Sequence, residues 1–233
     1  MTNIGVEHCA SFVSSQFQRG RAAGTDAETD VRRAVTISRQ AGCGALAVAE
    51  KLAHYLHEHS PRNARPWTVF DRNLMERVLE DHDLPPRLAQ FLPEDRVSYL
   101  EDIMADLLQT YPSSQTVVRH ATETILKLAS LGNAILIGRG GNVITSRLPN
   151  MLHVRLIAPL EERIVYASET YSMTKIEARK FCLTKDFARE RYLKKYFHAD
   201  INDSLLYHLV INTGLVGCDE SAKLIGDVVL NLT

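Results

Sequence analysis

The 233-residue chain is poor in cysteine: Cys9, Cys43, Cys182 and Cys218 are all it has, and no two of them stand in C-x-x-C spacing. Thiols so few and scattered exclude a disulfide framework and predict a reducing compartment. No apolar run approaches the roughly 20 residues that span a bilayer. The first residues lack a basic segment followed by an apolar one, so no secretory signal is expected and a cytoplasmic protein is predicted. Neither sign of charge is in excess, with 27 Lys and Arg against 28 Asp and Glu. A broad basic face for nucleic acid is therefore not expected. His54, His57 and His59 recur near the end of one predicted helix, but no cysteine or carboxylate set closes a metal site around them. The nucleotide-binding pattern G-x-x-x-x-G-K-[ST] occurs nowhere.

What is present is an ordinary globular composition, 45% hydrophobic and 24% charged, on a length that suits one domain. Residues 1–30 read as a separate extension. Val6, Cys9, Ala10, Val13 and Phe17 mark one face of a short helix, and a linker follows it. Two readings stand for it: a frayed extension, or a helix that docks on a partner subunit and makes a homo-oligomer.

Beyond it, short apolar strands are predicted at 34–38, 67–71, 134–138, 152–157 and 209–212. Helices are predicted at 43–59, across most of 73–130, and at 160–170, 174–197 and 219–231. Strands that alternate with helices predict an α/β fold, a parallel sheet covered by helices on both faces. Ligands bind such sheets at the carboxyl ends of the strands. The polar residues there are Ser38-Arg39, Asp71-Arg72, Gly138-Arg139-Gly140-Gly141 and Asn212-Thr213.

The first strand runs through Ser38-Arg39-Gln40-Ala41-Gly42-Cys43-Gly44-Ala45-Leu46-Ala47 into a helix. Three readings of this turn stay open. Gly42-x-Gly44-x-x-Ala47 fits the dinucleotide pattern, with Asp71 at the second strand end as the ribose acid. The wide loop also fits a phosphate-binding loop, in which backbone N–H groups of Ser38, Arg39, Gly42, Cys43, Gly44 and Ala45 point at phosphate. In that reading Ala45 stands where a lysine belongs, and Leu46 or Ala47 where a magnesium-binding hydroxyl belongs. The third reading is a glycine turn made for close packing. Cys43 is either a small loop filler or, at a helix N-terminus, a reactive thiol.

Later segments carry a resemblance. Phe70-Asp71-Arg72-x-Leu74, Gly138-Arg139-Gly140-x-Asn142-x-Ile144, Leu152-His153-Val154, Ala158-Pro159-x-x-x-Arg163-Ile164, Asp186-x-x-Arg189-x-x-Tyr192 and Ile211-Asn212-Thr213 follow Ile37-Ser38-Arg39 in order. Together they resemble the cytidylate kinase-like family over about 34–233. The resemblance implies a P-loop nucleoside monophosphate kinase-like fold in residues 31–233, with a helical acceptor-binding region near 72–130 and a lid near 163–200. It implies ATP and Mg²⁺, and transfer of the ATP γ-phosphoryl to a monophosphate such as CMP. The alternatives are a catalytically inactive nucleotide-binding protein on the same fold and an NAD-binding oxidoreductase.

By the resemblance, Asp71, Arg77, Arg119, Arg139, Asp186 and Arg189 would bind the acceptor, and Arg139, Lys185 and Arg189 would act on the transferring group. Arg39, Arg163, Lys175, Arg179, Lys180 and Arg191 are further cations, with Glu177 and Glu190 interspersed. The chain departs from the family's enzymes at Gly140, where a carboxylate is lost, and at Cys182, where an arginine is lost.

Overall fold

The computed structural model describes residues 32–61, 65–71, 94–110 and 116–232. The sequence readings for residues 1–30, Arg72 and Arg77 lie outside them. Five parallel strands form one sheet: β1 (Ala34–Arg39), β2 (Thr68–Phe70), β3 (Ala134–Ile137), β4 (Met151–Ile157) and β5 (Leu209–Asn212). Their order is β2-β3-β1-β4-β5, and every pairing is parallel.

The α/β expectation holds, and the order itself removes one of the three readings of the glycine turn. A dinucleotide fold places the second strand beside the first. Here β3 and β4 flank β1, and β2 lies beyond β3 at the edge. Asp71 therefore ends a strand that does not touch β1, and the ribose-acid arrangement is not built.

Helices cover both faces. They are α1 (Ala45–Glu58), α2 (Glu94–Thr110), α3 (Thr116–Leu131), the single turn α4 (Gly141–Ile144), α5 (Leu160–Tyr171), α6 (Lys175–Phe197), the short α7 (Thr213–Val216) and α8 (Cys218–Asn231). Alternate strand residues point to opposite faces. Val35 and Ile37 of β1 and Leu152, Val154 and Leu156 of β4 pack with Leu52 and Leu56 of α1 and with Ile225 and Val229 of α8. The other face joins Phe70, Leu136 and Met151 to Ile125 and Leu128 of α3 and to Leu193 and Phe197 of α6.

On that second face, β1 and β4 turn polar beyond Ala34 and Met151. Thr36 stands opposite His153 and Ser38 opposite Arg155 in the strand register, and all four are buried. The period-2 pattern thus puts a buried polar stripe against an otherwise apolar helix layer.

Several element ends differ by a residue or two from the sequence expectation, and two of the differences have a visible cause. The first helix begins at Ala45, two residues later than predicted, because Gly44 sits at φ 73°, a left-handed conformation outside the helix. The last helix is preceded by α7, which Asn212 caps by accepting from the Gly214 N–H at 3.1 Å. α6 starts at a reciprocal cap, the Thr174 side chain on the Glu177 N–H and the Glu177 side chain on the Thr174 N–H.

Candidate functional site

A cavity of about 310 Å³ opens at the carboxyl ends of β1 and β3, at the low end of the size range of small-molecule sites. Ser38 and Arg39 line it from β1, and Gly138, Arg139, Gly140 and Asn142 from the turn after β3. Lys185, Arg189 and Tyr192 line it from α6. Those three recur at helical spacing, so one face of α6 presents both cations to the sheet edge.

The turn after β3 is shaped for this placement. Gly138 has φ 86°, and a Cβ there would collide with the Arg39 guanidinium. Glycine is required to seat Arg39 over the turn. Arg139 follows at φ 56°, a conformation that costs a non-glycine residue about 1 kcal/mol or more. A strained arginine at a cavity wall is a candidate for function.

A second cavity of about 150 Å³ adjoins the first. Gln40, Arg155, Asp186, Glu190 and Asn202 line it, and it shares Arg39, Arg189 and Ile201 with its neighbour. Ser38 Oγ accepts from Arg155 Nη1 at 2.9 Å and lies 3.3 Å from the Tyr207 hydroxyl, which donates to the Ile201 carbonyl at 2.9 Å. Burial pushes the Tyr207 hydroxyl's pKa up. On the same stripe the Thr36 hydroxyl meets His153 Nδ1 at 2.8 Å, and His153 stacks on His208. Burial, and secondarily His208, pull the His153 pKa down to about 4. His153 is therefore a neutral ring at pH 7.

The loop between β1 and α1 is held from outside by α5, α6 and α7. Asp186 accepts from the Ala41 N–H at 2.7 Å, from Arg163 Nη1 at 2.7 Å and from Arg189 Nη1 at 3.1 Å. Arg163 also donates to the Ala41 and Ala158 carbonyls. Thr213 Oγ1 donates to the Cys43 carbonyl at 2.9 Å.

These contacts revise several sequence expectations. Arg163, read as a phosphate cation, is buried and braces the loop. Asn212 and Thr213, read as ligand-edge residues, cap α7 and tie down the loop. Gly42, Cys43, Gly44 and Ala45 do not line either cavity; Gly42 packs on the Arg163 backbone and Gly44 on Cys218 and Tyr166. Cys43 is no activated thiol, because burial raises its pKa to about 11 despite the opposing influence of Arg39.

Of the expected site residues, Ser38, Arg39, Arg139, Lys185 and Arg189 meet at the larger cavity, and Asp186 at the smaller one. Asp71 is half-buried at the end of β2. Arg119 is exposed on α3, where it borders a shallow groove with Tyr196 and Phe197 instead of the cation-lined cavity. Lys175, Arg179, Lys180 and Arg191 are exposed on other faces of α6. Arg179 pairs with Glu161 at 2.9 Å and Arg191 lies over the Phe187 ring.

Arg155 was missed by the sequence reading. Its signal was an arginine inside a strand otherwise apolar enough to be fully buried. Among the described residues no group of three or more His, Cys, Asp or Glu is placed to hold a metal. Nor is any described helix long and apolar enough to cross a membrane.

Comparison with known proteins agrees with this architecture. A solved structure of an uncharacterized protein from Eubacterium ventriosum superposes with a TM-score of 0.63 over 86% of this chain and 99% of that one, at 21% identity. That likeness is one of fold. The uronate isomerase of Corynebacterium glutamicum is 26% identical over 113 residues, 48% of this chain. The match spans only 22% of the isomerase's length. Residues 34–215 match the profile of the cytidylate kinase-like family, a span that runs from β1 into α7. The chain belongs to the cytidylate kinase-like family.

Proposed function

We propose that the protein is a nucleoside monophosphate kinase-type phosphotransferase that moves the γ-phosphoryl of ATP to a monophosphate such as CMP. The observation that carries this reading is the convergence of Arg39, Arg139, Lys185 and Arg189 on one cavity at the carboxyl edge of β1 and β3. A transferring phosphoryl group spreads charge over three oxygens, and its catalysis is mostly positioning and cationic stabilisation. Guanidinium groups meet phosphate through two parallel N–H bonds.

In this reading Arg139, with Asp71 and Arg77, holds the acceptor. Lys185 and Arg189 stabilise the group in flight, and Arg39 supplies cationic charge in place of the absent loop lysine. Arg119 and Asp186 are carried as acceptor-side residues by family resemblance alone. The phosphoryl bond to the ADP oxygen breaks as a bond to the acceptor's phosphate oxygen forms, leaving ADP and a nucleoside diphosphate.

Among the described residues no protein seat for Mg²⁺ is built. Leu46 and Ala47 stand where its hydroxyl ligand belongs, and Asp186 is engaged by two arginines and the Ala41 N–H. The ion would arrive as the nucleotide's own counter-ion.

A second reading, a nucleotide-binding protein without turnover, is favoured by Ala45, Leu46 and Ala47. Losing one transition-state cation costs orders of magnitude in rate. The deciding experiment is a phosphoryl-transfer assay with ATP and Mg²⁺ against a panel of monophosphates, with Asp71→Ala and Arg139→Ala alongside. Turnover lost in both variants supports the transferase. Nucleotide binding with no turnover across the panel supports the second reading.

A further inference from the structure

The chain has lost the loop lysine that normally meets donor phosphate, yet it buries an arginine that no sequence pattern singled out. Arg155 lies in mid-sheet on β4, only 5% exposed. Its Nη1 donates to Ser38 Oγ at 2.9 Å, its Nη2 reaches Asn202 Oδ1 at a long 3.5 Å, and its guanidinium lies near the Tyr207 ring. All of these partners are neutral. Among the described residues it forms no ion pair.

A buried charge is costly unless a counter-charge compensates it. Burial accordingly pushes the Arg155 pKa down, with Tyr207 and Asp186 opposing it, but an arginine stays charged. Asp186 is the carboxylate nearest to supplying compensation, and it is already shared between Arg163 at 2.7 Å and Arg189 at 3.1 Å. Among the described residues that line the two cavities, the cations Arg39, Arg139, Arg155, Lys185 and Arg189 outnumber the carboxylates Asp186 and Glu190. Arg155 is the buried one of these cations, and its described hydrogen bonds go to neutral groups.

The two cavities divide this charge in space. Arg139 lies on the β3 side and lines only the larger one. Arg155 lies on the β4 side, beside Gln40 of the loop, and lines only the smaller one. Arg39 and Arg189 line both.

We propose that the smaller cavity is a polyphosphate subsite in which Arg155, with Arg39 and Arg189, receives the terminal phosphates of the donor nucleotide and takes over the role of the missing lysine. This rests on the phosphotransferase reading, which it deepens. The acceptor's phosphate lies toward Arg139 and the donor's toward Arg155, with Arg39 and Arg189 between them. Ser38 accepts from Arg155 Nη1 and so helps to fix the guanidinium.

The test is calorimetric titration of the full chain with inorganic tripolyphosphate in a phosphate-free buffer, on wild type, Arg155→Met and Arg155→Lys. Melting temperatures are recorded with and without the anion. Wild type should bind and gain thermal stability, and Arg155→Met should bind at least tenfold more weakly. In the absence of anion the Met variant should melt no lower than wild type, because an uncompensated buried charge has been removed. A residue that only props up the sheet would show the reverse. Should the Met variant fail to fold, Arg155→Lys decides: a fivefold or greater loss of affinity supports the subsite, because a lysine lacks the planar fork, and unchanged affinity overturns it.

Tripolyphosphate binding that ignores both substitutions overturns the subsite outright. Arg155-dependent tripolyphosphate binding by a protein that phosphorylates no monophosphate would leave the subsite standing and sink the transferase reading. Turnover that persists unchanged in Arg155→Met would do the opposite.

Discussion

Arg139 holds a left-handed conformation that glycine would adopt without strain, and its guanidinium lines the larger cavity. Arg139→Gly therefore separates stability from binding. The substitution should leave thermal stability unchanged or raise it by up to about 1 kcal/mol. Monophosphate binding should weaken roughly ten- to hundredfold, the equivalent of one charge-assisted contact. Denaturant melts and calorimetry on the same preparation check both halves, and a variant that is destabilised while binding normally would refute the assignment. At Gly138 the demand is the opposite. Gly138→Ala places a Cβ against the Arg39 guanidinium at φ 86°, so it should both destabilise the fold and displace Arg39. The residue types at these two positions were legible in the sequence, which showed a glycine-flanked arginine after an apolar strand. Their dihedral angles were not, because backbone conformation in a turn depends on what the turn packs against.

At the scale of elements, α6 joins the loop to the cavity. Its Asp186 holds Arg163, Arg189 and the Ala41 N–H, so one carboxylate fixes the loop, α5 and α6 relative to each other. Asp186→Asn would leave the nearly buried Arg163 guanidinium without a counter-charge. A loss of about 2–3 kcal/mol follows, less than for a fully buried pair because Asp186 is a quarter exposed. Urea unfolding should read it as a lower midpoint at unchanged slope; a midpoint equal to wild type would show that the pair does not hold the helices together.

The cap of α6 is a separate, exposed feature. Thr174→Ala should cost about 1 kcal/mol without altering ligand affinity. Helix positions were readable from apolar spacing, and α5, α6 and α8 fall within a residue or two of expectation. Which α6 cations face inward was not readable from spacing, since Lys175, Arg179, Lys180 and Arg191 look equivalent to Lys185 and Arg189 until the helix is docked. The family motif picked out the two that line the cavity.

At the scale of the whole molecule, strand order is what the sequence could not supply. Five apolar strands alternating with helices fit several doubly wound sheets. The order β2-β3-β1-β4-β5 separates Asp71 from the glycine turn and sets β4 beside β1. That adjacency also creates the buried polar stripe of Thr36, Ser38, His153 and Arg155, a long-range pairing that no local pattern encodes.

The stripe makes global stability sensitive to acid. The folded pKa of His153, about 4, lies below the ordinary histidine value of 6.5. Between these values the unfolded chain holds more protons than the folded one, so stability is lost as pH falls from about 6.5 toward 4 and the loss levels off below. The contribution is on the order of 3 kcal/mol at most. His153→Gln should flatten this part of the pH–stability curve; an unchanged acid slope would assign the proton uptake to other groups.

The central claim is that the cavity ringed by Arg39, Arg139, Lys185 and Arg189 is a nucleotide phosphate site. The most direct measurement is calorimetric titration of a nucleoside monophosphate panel against wild type and Arg139→Ala at two salt concentrations. The account predicts saturable binding of at least one monophosphate, weakened by salt and reduced tenfold or more in the variant. Absence of binding across the panel, or equal affinity in Arg139→Ala, would contradict it.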